Sequence, residues 1–394
     1  MKFLIALFRY FPYGGLQKDF LRIAEELLRR GHQVLCVCME WDGPVPSGLE
    51  VRKISCSGCS NHGKAATFEK KVKAILQAGD FDCSLTMNRM GGFDFYFVAD
   101  NCFALDTAAK HSVFVQKLLP RYRIFLRQEQ AVFSADSATR IFTIVDRQKP
   151  DYQKVYHTAD SRFLALPPGM NEQCRLRPEE ERMAIRHRIR EELNIPEQDC
   201  LLVQVASSPG TKGMDRSILA LADVLKRIVV QQPDGKALAD HIRLLLVGIK
   251  EPAHKVFRYL PAKFMQEKVI FAGARDDVPE LLTAADLMIH PARNEAAGTV
   301  LIESIACACP VICSGACGFS SYVRESGGIV LPEPYNGKKD LEPILLELLT
   351  SPDKLQNMKQ CCQNYAVNAD FYRRAVVAAD YMEDFVRQKS STCR

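Results

Sequence analysis

Two carboxylates eight residues apart, Glu295 and Glu303, sit in the stretch HPARNEAAGTVLIES at residues 290–304. An α-helix repeats every ~3.6 residues, so eight is a poor spacing for one helical face. The spacing makes sense if Glu295 lies in a loop and Glu303 lies inside the helix that follows. A helix N-terminus would then stand between them, and such an end binds anions. With a helix start near Gly298, Glu303 lies about 7–8 Å further along the axis. A nucleotide's diphosphate and its ribose hydroxyls are separated by a similar length. The amides of Gly298, Thr299 and Val300 are then placed to hold the diphosphate, and Gly298 lets the backbone come close. Glu303 would accept hydrogen bonds from the ribose, and Glu295 from a sugar beyond the phosphates. A plainer reading stays open on spacing alone: one acid complements the helix dipole and the other is solvated.

Such residues need a scaffold that ends strands at a common edge. Residues 2–8 are apolar and β-prone, and FPYGG then turns into an amphipathic helix with Phe20, Ile23, Ala24, Leu27 and Leu28 on one face. RRGH closes that helix and QVLCVC is the next strand, which makes a β–α–β unit. CSLTM, YFVAD and RIFTIV continue as strands, and a Pro-Pro-Gly at 167–169 ends the first alternation. A charged stretch follows, and alternation restarts from CLLVQVASS to GGIVLP. This pattern predicts an α/β chain of two Rossmann-like doubly wound domains, residues 1–168 and 169–375, facing across a cleft. Residues 376–394 read as a terminal helix that packs back on the first domain.

The bulk numbers agree. The 394 residues are too many for one ordinary core and suit two domains. A hydrophobic content of 47% with 25% charged residues is that of a globular protein, and no run is long enough to span a bilayer. The N-terminal FLIALF reads as a buried strand rather than a leader. A net charge of +5 is too mild to suggest nucleic acid. The fifteen cysteines are scattered and read as free thiols in a reducing cytosol. Cys56, Cys59 and His62 would be half a zinc site without a second half, so they read as a loop. No G-x-G-x-x-G follows a strand, which excludes a dinucleotide oxidoreductase.

Taken in order, YFPYGGLQKDFLRIAEELLRRGH, NHGK, PPGM, KGMDRSILAL, ARDDVPELLTAADLMIHPA and NEAAGTVLIESI resemble the retaining GT-B glycosyltransferases of family 4. Glu295 and Glu303 fit their E-x7-E motif, and the match is nearest to the lipopolysaccharide core glucosyltransferase I family, over about residues 1–375. The resemblance implies a metal-independent, retaining hexosyltransferase that moves glucose from UDP-glucose to an inner-core heptose. Another nucleotide sugar (UDP-GlcNAc, UDP-Gal or GDP-mannose) on a different glycan is the alternative. No cofactor is implied.

The resemblance also assigns residues. Gly14 and Gly15 match the glycine turn facing the donor, and Asp19 follows on the first helix. Asp100 matches an aspartate facing donor sugar and acceptor. Lys212 and Arg275 match cations on the diphosphate, Glu295 the sugar-side acid and Glu303 the ribose acid. Asp100, Lys212 and Glu295 are the expected catalytic residues. Rival readings are an exposed turn for Lys212, a salt bridge to Asp276 or Asp277 for Arg275, a polar helix position for Asp19 and a turn for Asp100. The family commonly has an arginine directly before the lysine, where this chain has Thr211, so one phosphate contact is missing or comes from elsewhere. The triplet DFD at 80–82 reads as a helix-to-strand turn rather than a metal site.

Residues 110–127 carry Lys110, Lys117, Arg121, Arg123 and Arg127 and no acid, interleaved with apolar side chains and split by Pro120. Such a stretch can lie on an anionic bilayer, and the resembled family contacts the membrane at this place. The expected partners are a nucleotide sugar, a lipid-linked oligosaccharide acceptor and an anionic inner-membrane surface. The expected location is cytoplasmic, peripheral on that membrane.

Overall fold

The computed structural model describes residues 1–12, 14–58, 60–170, 174–249 and 262–392. Cys59 of the suspected half-site lies outside them. The chain divides into two compact units, Met1–Gly169 with Tyr372–Arg394, and Met170–Phe371.

The strands of the first unit are β1 (Lys2–Ala6), β2 (Arg9–Tyr10), β3 (Gln33–Cys38), β4 (Glu40–Trp41), β5 (Glu50–Lys53), β6 (Cys83–Thr86), β7 (Phe95–Val98), β8 (Arg140–Thr143) and β9 (Phe163–Ala165). Seven of them form a parallel sheet in the order β5-β3-β1-β6-β7-β8-β9, and β2 pairs with β4 beside it. Central strands are apolar on both faces because helices cover both; in β3 all but Gln33 are buried. The helix Gly15–Arg29 buries Phe20, Ile23, Ala24 and Leu27, spaced for one face. On the same side the C-terminal helix Arg374–Thr392 adds Ala378, Ala379, Met382 and Val386 to a core with Phe3, Phe95 and Phe142.

The second unit contains β10 (Cys200–Val205), β11 (Ile242–Val247), β12 (Val269–Gly273), β13 (Leu287–His290), β14 (Val311–Ser314) and β15 (Ile329–Leu331), in the order β12-β11-β10-β13-β14-β15. Every strand pair is parallel. Its core packs the helix Met214–Gln231, with Ile218, Leu221, Val224 and Ile228, against Leu202, Leu244 and Ile289. Cys307, Cys309, Cys313 and Cys317 are buried free thiols, small hydrophobes in this packing.

In both sheets the first strand of the unit is central, the next strands add on one side and later strands on the other. The order therefore reverses between β1 and β6, and between β10 and β13. The loops leaving such a pair diverge and open a crevice at the strand C-terminal ends.

Candidate active site

In the second unit the crevice lies between the loops after β10 and β13. The loop after β10 makes a turn in which Lys212 N–H donates to Ser208 O (3.0 Å) and Met214 N–H to Pro209 O (3.0 Å). Gly213 closes it in the left-handed region, at φ 70°, and starts the helix Met214–Gln231. A Cβ at Gly213 would collide with the Pro291 carbonyl of the other loop. Glycine is thus required twice here, for its φ and for the approach of the two backbones.

The β13 loop is held from both sides. Towards β10, the Arg293 N–H donates to Thr211 O (2.8 Å) and its guanidinium to Gly210 O (2.7 Å). The same guanidinium makes a two-pronged pair with Asp215, at 2.7 and 2.6 Å. Arg216 donates to Pro291 O (3.0 Å). Towards β14, Ser314 Oγ donates to Ala292 O (2.6 Å), Gly318 N–H to Glu295 O (3.1 Å) and Phe319 N–H to Ala297 O (2.8 Å).

Glu295 and Lys212 meet across this junction. Lys212 Nζ stands 2.6 Å from Glu295 Oε2, and His290 Nε2 stands 3.3 Å from the same oxygen. His290 is fully buried at the end of β13, and its Nδ1 has no partner among the described residues. The tautomer with its hydrogen on Nε2 is the one that donates to Glu295. Burial by itself would push the Glu295 carboxyl up, but the hydrogen bonds from His290 and Lys212 outweigh it and hold the group below its ordinary range. Glu295 is therefore an anion at neutral pH, with a cation on one side.

Gly298 follows at φ 86° and caps the helix Thr299–Ala306. A Cβ there would stand 3.1 Å from Glu295 Cγ, tighter than ordinary contact. The Glu295 side chain thus lies across the start of that helix, whose first amides have no acceptor within the helix. Thr299 and Val300 are the first two helical residues and Glu303 lies one turn further in, partly exposed. The arrangement can hold a doubly charged group at a helix N-terminus, with a lysine beside it and carboxylates on either side.

Two residues expected on the donor carry ion pairs of their own. Arg275 is committed elsewhere: Nε and Nη2 bind Asp277 at 2.8 and 2.6 Å, and Nη1 binds Glu192 at 2.6 Å. The salt bridge was the rival reading, and it satisfies the guanidinium's three nitrogens. Asp19 is a staple within the first unit, buried and 2.6 Å from Arg374 Nη1. Arg374 Nε also donates to Pro167 O (2.9 Å). Burial raises the Asp19 carboxyl even against Arg374 and Arg22.

The first unit places its expected residues at its own strand ends. Gly14 caps the helix Gly15–Arg29, and a Cβ on it would collide with Gln17 and Phe11, whereas one on Gly15 would meet open space. Asp100 follows β7 with its carboxylate exposed and 3.7 Å from Arg89. Its carbonyl is fixed by Gln148 Nε2 and Tyr152 Oη, each at 3.1 Å. The β1–β6 crevice is a cavity of about 330 Å3 bounded by Leu7, Phe8, Arg9, Met39, Lys64 and Asn88. In the DFD triplet Asp82 accepts from Lys2 N–H (2.7 Å), which makes it a strand-edge turn. Cys56 and His62 bond to Ile54 O and Ser60 Oγ. Among the described residues, no three His, Cys, Asp or Glu side chains group to hold a metal ion.

His290, Arg293, Asp215 and Gly213 were not singled out in the sequence. Asp215 and Arg293 are 78 positions apart, and no periodicity links loops that leave two different strands. The one available signal was the second glycine in GTKG.

The family described as "Glycosyl transferases group 1" matches residues 185–364. The lipopolysaccharide glucosyltransferase WaaG of Escherichia coli (strain K12) is 35% identical over 376 residues, 95% of this chain and 96% of that protein. The crystal structure of WaaG, a glycosyltransferase involved in lipopolysaccharide biosynthesis, superposes with a TM-score of 0.83 at 34% identity, over 96% of this chain and 99% of that one. Anabaena Alr3699/HepE in complex with UDP-glucose superposes with a TM-score of 0.66 at 16% identity, over 99% of this chain and 100% of that one, a likeness of fold alone.

Proposed function

This chain belongs to the group 1 glycosyl transferases, and from that premise we propose that it moves glucose from UDP-glucose to a heptose of the lipopolysaccharide inner core. The observation that carries the reading is the Lys212–Glu295 contact at the start of the Thr299 helix. A UDP leaving group gains charge on its diphosphate as the glycosidic bond breaks. Lys212 and the first amides of the helix stabilise that growing charge more than the ground state. Glu295 accepts from the glucose hydroxyls and Glu303 from the ribose. Asp100 serves the acceptor side.

Transfer with retention would proceed on one face of the sugar: the C1–O bond to UDP breaks, the acceptor oxygen bonds to C1 from that face, and the departing phosphate takes the acceptor's proton. Lys212 would perform for the diphosphate the charge neutralisation that a divalent ion performs elsewhere, so EDTA should leave the rate unchanged.

A membrane-bound acceptor also calls for a docking face. Lys110, Lys117, Arg121, Arg123 and Arg127 are exposed on the helices Phe103–Lys110, Val113–Leu118 and Pro120–Phe133, beside exposed Phe114, Leu118 and Leu119. Cations with apolar side chains between them suit an anionic inner-membrane surface. Among the described residues no helix is long and apolar enough to cross a membrane.

The test is nucleotide release from a panel of UDP-, GDP- and ADP-sugars in EDTA, without acceptor. Slow release from UDP-glucose alone, lost in Glu295→Ala, is expected. Release from a different sugar would keep the chemistry and overturn the glucosyl assignment.

A further inference from the structure

Arg293 is the cation of this crevice that the donor reading leaves without a task. It lies two positions before Glu295, and its backbone N–H sits on Thr211 O at 2.8 Å. A guanidinium has five N–H donors. Nη1 uses its two on Gly210 O and Asp215 Oδ1, and Nη2 uses one on Asp215 Oδ2. The Nε hydrogen and one Nη2 hydrogen have no acceptor among the described residues, and the side chain is 43% exposed. The charge is thus anchored one residue from the Lys212 turn, with donors to spare.

A nucleoside diphosphate sugar carries one negative charge on each phosphate, and two cations would balance it. Lys212 is one and shares its charge with Glu295. Arg275 is bound to Asp277 and Glu192. Arg216 donates to the Pro291 and Ala292 carbonyls and lies over the Tyr335 ring at 4.1 Å. We propose that Arg293 is the second diphosphate-binding cation of this site, occupying from the neighbouring loop the position that Thr211 leaves uncharged. The proposal rests on the nucleotide-sugar reading above. Asp215 aims the guanidinium and tempers its charge, so the pair is fixed before the donor arrives.

Calorimetric titration of UDP into the full-length protein tests this, with thermal melting of each variant in parallel. Arg293→Met is expected to weaken UDP about tenfold or more, the usual worth of a charged hydrogen bond. Adding Thr211→Arg to Arg293→Met should restore most of that loss, because it returns a guanidinium to the same turn. Asp215→Asn, which removes the counter-charge and keeps an acceptor oxygen, should tighten UDP severalfold. A role confined to tying the loops together predicts the reverse: no rescue by Thr211→Arg, and weaker binding in Asp215→Asn. Either result, or unchanged affinity in Arg293→Met, overturns the proposal. Absence of UDP binding by the unmodified protein would instead remove the donor reading beneath it.

Discussion

The two units share a strand order and differ in what they place where that order reverses. At β10–β13 the loops are tied to each other and to the β14 loop, and an ion pair already stands at the opening. At β1–β6 the same topology leaves an open cavity lined by Leu7, Phe8 and Met39 together with Arg9 and Lys64. A rigid, charged crevice suits a ligand whose charge must be met at fixed points, because preorganised groups need no reorganisation when the charge develops. A mostly apolar cavity with cations among its lining residues suits a ligand held by its sugar faces and selected by shape. The lesson is that the switch point supplies only the place; the loop residues decide whether it becomes an electrostatic site or a docking cavity.

Substitutions in the charged crevice should therefore outweigh any elsewhere. Glu295→Gln and Lys212→Met are expected to lower kcat/KM for UDP-glucose by about 10²–10³ each, read as UDP release. A loss below tenfold in both would place the chemistry elsewhere. Gly213→Ala comes next. It drives a Cβ at positive φ into Pro291 O, an overpacking that costs about 1–3 kcal/mol. Urea unfolding of the full chain should show that loss, together with impaired UDP release.

The pH profile sharpens the same contrast. The Glu295 carboxyl is depressed in the folded state despite burial, through His290 and Lys212. A depressed acid contributes stability and activity that are complete above its unfolded value and vanish as pH falls through the folded one. The acid limb of UDP release should thus lie below the ordinary glutamate range, and His290→Phe, which removes one of the two hydrogen bonds, should move it upward. An acid limb unmoved by His290→Phe would detach the titration from Glu295. The smallest single effects belong to the first unit's basic helices. Each of Lys117→Glu, Arg121→Glu and Arg123→Glu should weaken binding to anionic vesicles, at about 1 kcal/mol per lost cation, while UDP release in solution is unchanged. Sedimentation with phosphatidylglycerol vesicles measures it.

Much of this organisation was readable in the chain, for identifiable reasons. The strands QVLCVC and RIFT are apolar on both faces, and the Phe20–Leu27 spacing is helical. Those are local signals. Gly298 and Glu295 were singled out as a glycine and a carboxylate at a predicted helix start, and Lys212 through the resemblance to a known family. The ion pairs of Asp19 and Arg275 were harder to read. A carboxylate or guanidinium looks the same in sequence whether it faces a ligand or a partner; Asp277, two positions from Arg275, was visible as a rival partner, but Arg374 and Glu192 lie 355 and 83 positions away from Asp19 and Arg275. The edge strand β5 and the β2–β4 ribbon were missed because EVRK, RY and EW carry no apolar run.

The C-terminal helix has a consequence for how the protein is made. Ala378, Ala379, Met382 and Val386 complete the core of the first unit, yet they are translated after the whole of the second. On the ribosome the second unit can close as soon as Phe371 emerges, while the first must wait, one helix short and with apolar surface uncovered, until the helix Arg374–Thr392 has emerged as well. Order of synthesis and order of completion of the two units are therefore inverted, and this nineteen-residue helix acts as the closing stave of the unit that β1 begins.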